Sequence, residues 1–143
     1  MGLFKPSRVA HAHCHVPCGI YDPAFAMNAA ETVLKMAEQL LALDPPAADA
    51  SRQEHAEYVQ AVGRRVSNKE EHAKKCKYEL LDVLWTQYFK PAHVERWPDL
   101  HSKFFEAGHL CTQNMQEISM EKAQALYDLT KEIADLFAES KKG

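Results

Sequence analysis

The chain predicts an all-α protein, an antiparallel up-down four-helix bundle. Three observations carry that expectation. Only five of the 143 residues are glycine, and helix formers dominate after Pro23. Apolar residues recur at three- and four-residue spacing along several separate stretches. Proline-bearing segments, Asp44-Pro45-Pro46 and Pro91, punctuate those stretches where helices must stop.

The first helix is expected to open with Asp22 as N-cap and Pro23 as its first helical residue, since proline's fixed φ suits that position. Ala26, Ala30, Val33, Ala37, Leu40 and Leu41 form its apolar stripe. A second pattern runs through Tyr58, Val59, Val62 and Val66, and a third through Ala73, Cys76, Leu80, Val83 and Leu84. Their near-heptad rhythm spans Ser67-Asn68, which allows one long helix with an irregularity there. Pro91 ends it, and Pro91 to Pro98 reads as a loop. Leu100, Phe104, Phe105 and Leu110 mark the next helix. The last begins near Ser119 and carries Ala123, Leu126, Ile133, Leu136 and Phe137, its start fixed only to a few residues because Ser119-Met120-Glu121-Lys122 is not a capping box. Tyr78, Met115 and Tyr127 are apolar enough for core or interface, and periodicity does not separate the two.

A single domain accommodates this length. Hydrophobic content of 46% and charged content of 26% are those of an ordinary soluble domain. Seventeen basic against twenty acidic residues give a net charge of −3, which argues against a nucleic-acid surface. No apolar run reaches the roughly 18 residues of a membrane span. Of the four cysteines, Cys76 and Cys111 fall in helical patterns and read as small buried apolar groups.

Cys14 and Cys18 are different. The stretch His13-Cys14-His15-Val16-Pro17-Cys18-Gly19-Ile20-Tyr21 places two thiols and two imidazoles within six residues. Pro17 and Gly19 preset a bend rather than a helix, so both thiolates can close on one metal. A local disulfide is the alternative for the same pair. Residues 1–12 contain Lys5 and Arg8, no acidic residue, and too short an apolar stretch for a secretory signal. They end in Ala10-His11-Ala12. Composition alone leaves open whether they are a leader or an unprocessed tail.

Residues 13–23 closely resemble the nickel hook of nickel-dependent superoxide dismutases, His-Cys-x-x-Pro-Cys-Gly-x-Tyr-Asp-Pro, at all eight specified positions. The resemblance implies that residues 1–12 are a leader removed by a processing protease, leaving residues 13–143 as the hook and bundle domain. It implies one nickel ion per subunit, bound by His13, Cys14 and Cys18, with the freed amine and imidazole of His13, the backbone amide of Cys14 and both thiolates as donors. Anionic amide and thiolate donors stabilise trivalent nickel, and soft thiolates select against hard cations. Cycling between Ni(III) and Ni(II) would convert superoxide to oxygen and hydrogen peroxide. The family is a homohexamer, and a cytoplasmic location is expected.

A second block carries the same resemblance. Leu84-Trp85 and Tyr88-Phe89-Lys90-Pro91 are similar to the family's Leu-Trp-x-x-Tyr-Phe-Lys-Pro run, and Pro98-Asp99-Leu100-His101 follows. By resemblance Tyr88 packs beside the hook and Lys90 attracts an anionic substrate. Tyr21 is assigned positioning and hydrogen bonding before proton donation, because a phenol of pKa near 10 is a poor acid at neutral pH.

The chain departs from the family at four places. His15 stands where Asp is usual. Behind a free amine and two backbone amides, an imidazole at the third position is a strong square-planar chelator for copper(II) and nickel(II), so His15 is a candidate competitor of the thiolates. The alternative is that it points outward or hydrogen-bonds within the bundle or across a subunit interface. Ala29 falls where the family has a glutamate that orients the axial histidine, and only His72 and Lys74 lie near the corresponding arginine position. Ala138 replaces a tryptophan found in some members. These departures keep a second reading open, a metal-binding or buffering hook for nickel, copper or zinc without dismutase activity.

Overall fold

The computed structural model describes residues 15–17 and 19–142 and is built from helices. Four long elements form the bundle: α1 (Ala24–Leu41), α2 (Arg52–Lys77), α4 (Leu100–Gln116) and α5 (Met120–Ser140). A π-helical segment, Tyr78–Tyr88, continues α2, and a short α3 (Pro91–Arg96) precedes α4. α1 packs on α2 and α5, and α4 packs on the same two from the opposite corner. Sequential neighbours in a ring are what short connections between antiparallel helices produce.

The stripes of α1, α4 and α5 turn inward at helical spacing, except that Leu41, expected in the α1 stripe, is 60% exposed at the end of that helix. α1 buries Ala26, Ala30, Val33 and Ala37, its small residues letting the neighbouring backbones approach closely. α4 buries Leu100, Phe104, Ala107 and Cys111, and α5 buries Ala123, Leu126, Thr130, Ile133 and Phe137. Cys76 and Cys111 are both buried and reduced, as their positions implied. Phe105 is not part of the seam. It is 73% exposed, because its neighbour Phe104 takes the inward direction.

The helix ends have identifiable chemistry. Ala24 N–H donates to Asp22 Oδ1 at 2.8 Å, and Pro23 already has helical angles, so the start lies within one residue of the sequence expectation. α2 opens with a capping box: Glu54 N–H donates to Ser51 Oγ at 3.2 Å and Ser51 N–H to Glu54 Oε2 at 2.8 Å. Ser119 Oγ accepts from Lys122 N–H at 3.3 Å and fixes the start of α5. The end of α4 is held by Lys69, 1% exposed, whose ammonium donates to the carbonyls of Asn114 and of Glu117, the latter at 2.9 Å. A cation there complements the negative end of the helix dipole.

Three expectations change. α2 runs unbroken through Ser67-Asn68, and the irregularity falls at Tyr78, where the repeat widens to the π form. The first half of α2 reaches beyond the core, leaving Val59 67% exposed and Tyr58, Val62 and Val66 half-buried. Pro91 to Pro98 contains α3 rather than an open loop. Pro91 takes the first helical position, where its missing N–H costs nothing, and Lys90 N–H donates to His93 Nδ1 at 2.9 Å.

Candidate metal centre

His13, Cys14 and Cys18 lie outside the described residues, as does the whole of residues 1–12. The flanking residues show what the hook rests on. Ile20 N–H donates to the Pro17 carbonyl at 3.2 Å, and Gly19 has φ +96°, so a tight turn spans Pro17 to Ile20. Among the described residues nothing lies within 4 Å of a side chain at Gly19, and its positive φ is the conformation that favours glycine.

On one side of this turn His15 is seated on the π segment. Its backbone N–H donates to Gln87 Oε1 at 2.8 Å, and its ring Nδ1 is 2.7 Å from Gln87 Nε2. The ring stacks on Tyr78 at 6.1 Å between centroids and 18° between planes. Tyr78 and Gln87 share a face only because the segment is π-helical. Nine residues are two and a half turns of an α-helix, which would place them on opposite sides. The wider i→i+5 repeat makes the same interval about two turns.

On the other side Tyr21 packs against the core and meets Tyr88, with ring centroids 5.6 Å apart and planes tilted by 57°. Tyr88 is fixed in turn by Phe137, Phe89 and His93, at 4.4, 5.1 and 5.8 Å. Its hydroxyl lies 2.6 Å from Ser140 Oγ. Lys141 places an ammonium 5.0 Å from the ring centroid, within cation–π range. Lys90 is exposed, and its ammonium donates to the Gln87 carbonyl at 2.7 Å, at the carbonyl-rich end of the π segment.

Tyr21 and Tyr88 are thus brought together, and Lys90 follows two residues after Tyr88. Gln87, Tyr78 and Ser140 were not singled out as site residues. Gln87 occupies an unspecified position of the second motif and carries no signal of its own. Ala29 is buried among the core alanines, and His72 Nδ1 is engaged with the Asn68 carbonyl of its own helix at 2.9 Å. Ala138 is exposed, and the aromatic contact to Tyr88 from α5 is made by Phe137.

These elements have close counterparts. The nickel-containing superoxide dismutase family profile matches residues 8–141. The chain is 36% identical over 140 residues to a superoxide dismutase [Ni] of Streptomyces seoulensis, covering 98% of this chain and 96% of that one. It is 33% identical over 147 residues to a superoxide dismutase [Ni] of Streptomyces coelicolor, with the same coverage. A crystal structure of nickel-containing superoxide dismutase in its oxidized ligation state superposes with a TM-score of 0.76 at 34% identity, over 92% of this chain and 100% of that chain. The native nickel superoxide dismutase structure at 1.30 Å superposes with a TM-score of 0.75 at 30% identity, with the same coverage. With bundle, hook sequence and full-length similarity in agreement, the chain belongs to the nickel-containing superoxide dismutase family.

Proposed function

We propose that this chain disproportionates superoxide to oxygen and hydrogen peroxide at a nickel ion held by His13, Cys14 and Cys18. The carrying observation is that the whole donor set lies inside the matched span, followed by the tight turn at Gly19 and the Tyr21–Tyr88 pair. The donor set fits the metal. Two soft thiolates, the backbone amide of Cys14 and the freed amine of His13 are the strong donors that nickel would favour, and the His13 imidazole is available as a fifth. When bound, nickel supplies the one-electron couple that accepts an electron from one superoxide and returns it to a second.

The protein's own residues shape the approach. The Tyr21 and Tyr88 phenols form the wall beside the hook, and packing of Tyr88 against Phe137 keeps that wall rigid. Lys90 and Lys141 set positive charge beside it, which favours an anionic substrate. The phenols are assigned positioning and hydrogen bonding rather than proton donation, since a phenol is a poor acid at neutral pH.

Amine ligation requires His13 to be the first residue, so residues 1–12 are a leader removed by a protease. A hexamer is the proposed assembly, and Phe25, Val59 and Phe105, each more than 60% exposed, are apolar surface that such an assembly would cover. No described helix is long and apolar enough to cross a membrane, and the proposed location is the cytoplasm. The test compares superoxide consumption by nickel-loaded protein starting at His13 and at Met1. Activity confined to the His13 form supports the assignment, and equal inactivity of both overturns it.

A further inference from the structure

We propose that Gln87 is a positioning residue that withholds His15 from the metal, keeping nickel on the thiolates. The inference rests on the dismutase reading and concerns a residue pair the family pattern leaves open. A chain starting His13-Cys14-His15 offers two competing donor sets. One uses the thiolates. The other is all-nitrogen: the terminal amine, the amide nitrogens of the second and third residues, and the third residue's imidazole. In that second set only Nδ1 closes a six-membered chelate ring with its own backbone nitrogen. His15 must therefore surrender two atoms, its amide N–H and its Nδ1.

Gln87 engages both. His15 N–H donates to Oε1 at 2.8 Å, and Nδ1 lies 2.7 Å from Nε2. The orientation of the amide follows from chemistry. Gln87 Nε2 also lies 2.5 Å from the Asp82 carbonyl, which only accepts, so the NH₂ end must face it. Its second proton then points to Nδ1, and Oε1 is left for the His15 amide. Nδ1 is consequently an acceptor and His15 carries its proton on Nε2. Tyr78 Oη, at 3.4 Å, is too distant to replace the Gln87 bond, but its ring backs the imidazole. Lys90 donates to the Gln87 backbone carbonyl at 2.7 Å and helps fix the end of the π segment that carries the amide.

The test uses protein starting at His13 in wild-type form, Gln87→Ala, Gln87→Glu and Gln87→Ala/His15→Ala. Two readouts are independent of turnover. Long-range proton–nitrogen correlation on the metal-free proteins reports the His15 tautomer. Anaerobic addition of nickel(II) reports the ligand set through thiolate-to-nickel charge-transfer absorption. The wild type is expected to show the Nε2–H tautomer and strong thiolate absorption. Gln87→Glu, which keeps the acceptor but offers Nδ1 no donor, is expected to move the proton to Nδ1. Removing both bonds in Gln87→Ala should raise the ratio of all-nitrogen to thiolate-bound nickel on the order of tenfold or more. Adding His15→Ala should restore the thiolate spectrum. A wild-type Nδ1–H tautomer, an unchanged spectrum in Gln87→Ala, or no restoration by His15→Ala overturns the proposal. Failure of the wild type to take up nickel would overturn the dismutase reading, while the metal-free tautomer still judges Gln87.

Discussion

Tyr88 Oη and Ser140 Oγ are 2.6 Å apart, and the direction of that bond is settled by the next one. Ser140 gives its own proton to the Phe137 carbonyl at 2.6 Å, so the phenol of Tyr88 must be the donor. The residue that faces Tyr21 is therefore tied to the last turn of α5.

Removing that donor has a small, defined cost. Tyr88→Phe keeps the aromatic packing and loses one hydrogen bond, so stability should fall by about 1 kcal/mol. Tyr88→Ala also empties the space between Tyr21 and Phe137 and should cost about 3–5 kcal/mol. Urea midpoints at unchanged slope measure both. Equal losses would show that the hydroxyl, not the ring, dominates.

Lys69 should give the fold a distinctive alkaline profile. Burial pushes its pKa below the ordinary 10.5, so in that interval the unfolded chain binds the proton more tightly than the native one. Stability then rises as pH increases from the depressed native value toward 10.5. Lys69→Met should be less stable by roughly 1.5–3 kcal/mol near neutrality, having left the Asn114 and Glu117 carbonyls without their cation. The difference between the two proteins should grow, and only within that alkaline interval, since the exposed lysines titrate alike in both. A pH-independent difference would contradict the assignment.

The thiols should divide into two classes. Cys111 is buried beside Cys76, and that contact together with desolvation raises its pKa far above the usual thiol range. Both thiols should resist a maleimide in the native state. Metal-free protein should accept two adducts, at Cys14 and Cys18, and four after denaturation. Bound nickel should protect the first pair. Labelling of Cys76 in native protein would show that the α2–α4 seam opens.

Lys90 should act through charge rather than contact. Lys90→Gln should lower superoxide consumption by up to about tenfold at low salt, with the gap closing as ionic strength rises. A deficit independent of salt would instead point to the hydrogen bond to the Gln87 carbonyl.

Much of the bundle was legible because α1, α4 and α5 are amphipathic at ordinary helical spacing, as Val33, Phe104 and Ile133 illustrate. The π segment was not, since a periodicity tuned to 3.6 residues cannot register a wider turn. α3 escaped because six residues between prolines carry no stripe. At the site, Tyr21 and Tyr88 were legible through two motifs. Gln87 was not, because its meeting with His15 spans 72 residues and depends on the π repeat to face the hook. Ser140 was hidden for the same reason, lying 52 residues from Tyr88.

The most direct test of the central claim is electron paramagnetic resonance of nickel-loaded protein whose intact mass shows a start at His13. The expected result is a rhombic trivalent-nickel signal split by one axial nitrogen, abolished by His13→Ala, together with superoxide consumption. Silent, inactive nickel in correctly processed protein would contradict it.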